Sequence, residues 1–161
     1  MTSNEFSLFL HISAVVVGLG ATFAEAIAFP VAIKMDARHL PYLHRLQRAI
    51  NQRLATPALL VIVLTGMYQV SKSPWSYSDF WISSTFAIAI ILGGMNGAYF
   101  VPADRKLEAM AERDIAAGPD DGEITMSDEY LRGARVEGIV GAIAGLLVVA
   151  AVFLMVVKPG A

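Results

Sequence analysis

"LFLHISAVVVGLGATFAEAIAFP", residues 8–30, sets one histidine, His11, and one glutamate, Glu25, into an otherwise apolar and small-residue run. So long a run suits a membrane better than the core of a soluble domain. A hydrocarbon layer of roughly 30 Å takes about 20 helical residues. An ionisable side chain is costly in that layer, so both residues need a partner or a task. Three more apolar runs follow. Together the four cover about residues 6–33, 54–70, 80–101 and 136–157.

Composition agrees with this reading. Of 161 residues, 56% are hydrophobic and 16% charged, against about a quarter charged in ordinary soluble domains. The mean hydropathy is +0.58. A soluble four-helix protein would need a polar face on every helix, and the third and fourth runs have none. The expectation is one domain, an all-α four-helix transmembrane bundle in a lipid bilayer. The chain has no cysteine, which removes disulfides, thiolate catalysis and cysteine-ligated metal centres. With a net charge of −2 it has no basic excess, so no nucleic-acid partner is expected.

Lysine and arginine give the direction. Lys34, Arg38, Arg45, Arg48 and Arg53 fall in the connection 34–53, and Arg105, Lys106, Arg113, Arg132 and Arg135 in the connection 102–135. Lys72 stands alone in the second connection and Lys158 alone in the C-terminal tail. The positive-inside rule then places 34–53 and 102–135 in the cytoplasm and both termini outside, in a multi-pass protein. No basic region precedes the first run, which argues against a cleaved signal peptide. "PYLHRLQRAINQRL" (41–54) sets Leu43, Leu46, Ile50 and Leu54 at helical spacing, with His44, Arg45, Arg48 and Asn51 elsewhere. It reads as a helix entering span two, with Pro41 in its first turn. "PADRKLEAMAERDIAA" (102–117) reads as an extension of helix three, and Ser127 as the cap of helix four. Trp75, Tyr77 and Trp81 suit an aromatic belt at the outer interface. The pairs Ala14/Gly18, Gly93/Gly97 and Gly141/Gly145 suit close helix packing within the bundle, and a homo-oligomer or another membrane subunit is a possible partner.

His11 and Glu25 are 14 residues apart, roughly 40° short of whole turns, so they share a face. At the depth of Glu25 the chain offers Arg53, Asn96, Tyr99, Arg135 and Glu137, a buried polar cluster in which Arg53 or Arg135 would neutralise Glu25. At the depth of His11 it offers Met67, Tyr68 and Met155. Imidazole with a thioether is an axial set for haem iron, so His11 with Met67 or Met155, or His11 alone, could hold it. His39 and His44 lie in the first connection at the other face, which disfavours bis-histidine ligation within one chain. The plainer alternative for His11 is a hydrogen bond to a tyrosine or a backbone carbonyl.

"LFLHISAVVVGLGATF", "RLATPALLVIVLTGMYQV", "GAYFVPADRKL" and "LMVVKPG" together resemble a bacterial family of four-helix predicted integral membrane proteins of unknown function. More distantly they resemble the group of the copper-resistance protein CopD and the HemJ-type protoporphyrinogen oxidase. That wider resemblance implies a haem-associated histidine early in helix one, matched by His11. Its members also use a lysine in the third helix, and span three here has none, which argues against that oxidation. The combined expectation, with the bacterial inner membrane that the resemblance implies, is a small haem b-binding or redox-associated bundle using His11. The alternative is a non-enzymatic accessory subunit or small transporter braced by the Glu25/arginine cluster.

Overall fold

Helix α1 (Ser3–Ala32) starts at a reciprocal cap. The Thr2 hydroxyl accepts from the Glu5 N–H at 3.3 Å, and the Glu5 carboxylate accepts from the Thr2 N–H at 2.7 Å. The computed structural model describes residues 1–160, and among these the regular structure is entirely helical. After a 3₁₀ turn (Ala37–His39), α2 (Leu40–Ile50) runs through a π-helical turn at Asn51–Ala55 into α3 (Thr56–Ser71). In the same way α4 (Phe80–Met95) runs through a π turn at Asn96–Phe100 into α5 (Val101–Ala117). Helix α6 (Asp128–Val157) is unbroken, and the Ser127 side chain caps it by accepting from the Tyr130 N–H. Four continuous rods result, each long and apolar enough to cross a membrane.

The two π turns have one cause. Pro57 and Pro102 lack an N–H, and each ring would clash with the carbonyl four residues back, at Arg53 and Ala98. Both carbonyls lie inside the widened turns, where bonding shifts from the fourth residue to the fifth. Thus Thr56 N–H donates to the Asn51 carbonyl and Val101 N–H to the Asn96 carbonyl. The turns meet across the bundle, where Asn96 Nδ2 lies 3.1 Å from Thr56 Oγ1 and 3.4 Å from the Asn51 carbonyl.

Packing comes in pairs. Helix α1 lies along α3, α4 along α6, and α2 along α5, with slighter contact between α1 and α6 and between α3 and α4. Small residues bring α1 against α3: Ala14, Ala21 and Ala58 are buried, and a Cβ added at Gly18 would stand 3.4 Å from Ala58 Cβ. The apolar core, however, sits beyond the spans. Leu40, Leu43, Leu107, Met110, Ala111, Tyr130 and Ala134 form it where α2, α5 and the start of α6 meet. Along the rods themselves Val16, Ile27, Leu60, Ile90, Leu146 and Val156 are exposed, as acyl chains rather than protein would cover them.

The face of α2 differs from the reading made on sequence. Leu46 and Leu54 are exposed, while His44 and Asn51 are buried. The inward stripe is Leu40, Leu43, His44, Gln47 and Asn51, because α5 packs on that side and brings its own partners. Arg45 pairs with Glu108 and Glu112 from the outer side, and Arg48 reaches Glu108 at 2.6 Å. The loop before α6 is held by Arg38, whose guanidinium donates to the carbonyls of Pro119, Asp120 and Gly122 at 3.0–3.2 Å. Its backbone N–H donates to Asp36 and holds that carboxyl below the usual carboxylate range. At the opposite end Trp75 and Trp81 meet edge to face, and Lys158 Nζ lies 5.5 and 5.4 Å from their centroids.

Candidate functional site: a cavity floored by buried carboxylates

Between the α1/α3 pair and the α4/α6 pair lies a cavity of about 720 Å³. Its walls are apolar, from Leu19, Leu59, Ile62, Ile88, Val149 and their neighbours. Glycine makes room for it: Gly138, Gly141 and Gly145 line the space, and a Cβ at any of them would meet nothing within 4 Å. The Gly141/Gly145 pair, expected to seat a neighbouring helix, therefore borders open volume. Gly93 does pack, since a Cβ there would stand 3.3 Å from Leu59, but Gly97 faces open space.

The floor lies at the level of the π turns. Glu25, Gln47, Asn51, Asn96 and Glu137 line it. Glu25 Oε1, Gln47 Oε1, Asn96 Oδ1 and Glu137 Oε2 are buried atoms with no hydrogen-bond partner. All four are acceptor oxygens. Buried polar atoms are normally bonded, and a donor or a cation would satisfy this corner.

Just beyond Glu137 the chain brings in two residues from the helical extensions. His44 is fully buried, and Asp104 is 1% exposed. His44 lies between Phe29 and Tyr130, and its Nε2 is 3.0 Å from the Tyr130 hydroxyl. Its Nδ1 faces Asp104 Oδ1 at 3.5 Å, too far for a good hydrogen bond. One ligand atom each from His44, Asp104 and Glu137 lie within 4.8 Å of one another.

The residues expected to form the site are only partly united. Glu25, Asn96 and Glu137 share the cavity floor. Tyr99 is half-buried and makes no part of that lining. Arg53 and Arg135 are exposed, and among the described residues neither forms an ion pair. Glu25 is not paired with either arginine, because both project outward from the start of their spans. His11 Nδ1 lies 2.9 Å from Thr65 Oγ1, a hydroxyl that donates to the Val61 carbonyl at 2.6 Å. With its proton so used, the hydroxyl can accept from Nδ1–H, and in a neutral ring Nε2 is then the bare nitrogen. His11 does not line the cavity, whereas Met155 does. Met67 is 47% exposed.

His44 and Asp104 were missed as site residues because they stand in segments that read as charged connections. A signal was nonetheless present. Asp104, Leu107 and Ala111 fall at helical spacing, as do Leu40, Leu43, His44 and Gln47, so each stripe carries its ionisable residue inward. The repeated spacing Asn51…Pro57 and Asn96…Pro102 likewise marked the two π turns.

The chain belongs to the family described as "Predicted integral membrane protein (DUF2269)", which it matches over residues 6–159. No curated protein and no solved structure matches it significantly. Membership, with the four apolar rods, establishes a multi-pass membrane protein.

Proposed function

We propose that this protein is a non-enzymatic membrane bundle that binds an amphiphilic cation in its central cavity, as a small transporter or as an accessory subunit holding such a molecule. One observation carries the reading: every unpartnered polar atom on the floor is an acceptor oxygen, and the walls above are apolar. An ammonium head would supply donors and positive charge to Glu25, Gln47 and Asn96, and a compact apolar body would fill the volume above. The lysine and arginine asymmetry supports an orientation with the floor near the cytoplasmic side of the membrane.

The test uses 1-aminoadamantane, a compact cage with one ammonium, and the neutral 1-adamantanol, against the protein in nanodiscs by calorimetry. The amine should bind and the alcohol should bind much more weakly. Glu25→Gln should weaken the amine by about tenfold or more, a difference of ~1.4 kcal/mol. Equal binding of amine and alcohol, or an unaffected variant, would overturn the reading.

A second reading has its own observation. The Thr65 hydroxyl orients His11 in the tautomer that a haem ligand needs, with Nε2 available to iron. His11 would hold haem b at the outer part of α1 and α3, with Met67 or Met155 as sixth ligand only if one of them moves toward it. Protein expressed with ample haem should then show a Soret band that His11→Ala removes. A colourless protein that takes up no added haem would overturn this second reading.

A further inference from the structure

The geometry points to a divalent-cation site formed by His44, Asp104 and Glu137, with Tyr130 as a positioning residue. Four unpartnered atoms converge there: His44 Nδ1, both Asp104 carboxylate oxygens and Glu137 Oε2. They come from three different helices, α2, α5 and α6. So many orphaned atoms at one buried point are rare in folded proteins unless something sits between them. Among the described residues no lysine or arginine pairs with Asp104 or Glu137.

The spacing fits coordination. Two ligand atoms at about 2.0–2.2 Å from one ion, at tetrahedral to octahedral angles, stand about 2.8–3.6 Å apart. His44 Nδ1 and Asp104 Oδ1 are 3.5 Å apart. One ligand atom from each of the three residues lies within 4.8 Å of the others, so a modest closing of the side chains brings all three onto one ion. One imidazole and two carboxylates carry a charge of minus two, which a divalent ion balances. The imidazole and the absence of cysteine favour Zn²⁺, Mn²⁺ or Fe²⁺ over Ca²⁺, Mg²⁺ and Cu⁺.

Tyr130 supplies the outer support that such sites use. With Nδ1 on the ion, His44 Nε2–H donates to the Tyr130 oxygen at 3.0 Å, which sets the tautomer and the ring plane. Glu137 also lines the cavity, so the ion would stand at its floor with a coordination position facing that space. The three ligands share only Glu137 with the cavity lining. Its rival is a proton shared between Asp104 and Glu137.

The experiment takes the full chain in detergent, stripped with a chelator, and titrates Co²⁺ while recording the visible d–d bands. One Co²⁺ per chain should bind and be displaced by Zn²⁺. His44→Gln and Asp104→Asn should each weaken binding by at least about tenfold. Tyr130→Phe should keep the stoichiometry with affinity lowered roughly 10–100-fold. In the wild type, a paramagnetically shifted exchangeable imidazole proton should report histidine ligation, independently of whether the variants fold. Folded wild-type protein that takes up no stoichiometric Co²⁺, Zn²⁺ or Mn²⁺, or lacks that shifted proton, would overturn the site in favour of the shared proton.

Discussion

At Glu25 a carboxylate stands in an apolar wall with no cation beside it. Removing one member of a buried ion pair costs about 3–5 kcal/mol, because the other charge is stranded. Glu25 is in the opposite situation. Replacing it with glutamine leaves no charge stranded and relieves an unpartnered acidic group. The variant should melt no lower than the wild type and up to a few degrees higher, since ~1 kcal/mol corresponds to roughly 2–4 °C for a chain of this size. A clear loss of melting temperature in detergent would show a partner that the packing does not reveal. Glu25 was conspicuous in the sequence because it interrupts a long apolar run. Its neighbourhood was not, since which side chains meet it depends on the rotation of three other helices.

Helix α6 owes its shape at the cavity to glycine. Gly145 could carry a larger side chain without steric conflict, because a Cβ there meets nothing within 4 Å. Gly145→Leu should therefore keep the fold, with melting within a degree or two of wild type, while filling part of the 720 Å³. Binding of 1-aminoadamantane should fall by about tenfold or more, as expected when a ligand's apolar contacts are displaced. Strong destabilisation instead would place another helix where the cavity now lies. The Gly141/Gly145 pair was visible in the sequence as a small-residue stripe, which Gly138 extends. Such a stripe serves close packing and open volume equally well, and the pairing of α1 with α3 and of α4 with α6 decides between them.

Across the whole molecule the positive residues gather at the end that carries the α2 and α5 extensions, and Trp75 and Trp81 at the other. The native chain lacks cysteine, so single cysteines can report the direction directly. Ser76→Cys should react with an impermeant maleimide in intact cells, and Asp120→Cys only after lysis. The reverse labelling would turn the bundle over and put the cavity floor near the outer face. Both positions are exposed, so neither substitution disturbs the core.

Length and hydropathy were enough to establish four helices that cross a membrane, since burying a backbone in lipid leaves few other structures. The caps at Thr2 and Ser127 were equally local, and Ser127 could be read directly. The site was not local. His44 and Asp104 are separated by 60 residues of chain and meet only because α2 lies along α5, outside the lipid, where composition reads as a charged connection. Arg53 and Arg135 were assigned to Glu25 by depth alone. Depth follows from sequence position, but the direction in which a side chain points around its helix is set by packing. In this bundle packing turned the arginines outward and gathered the carboxylates and the histidine within.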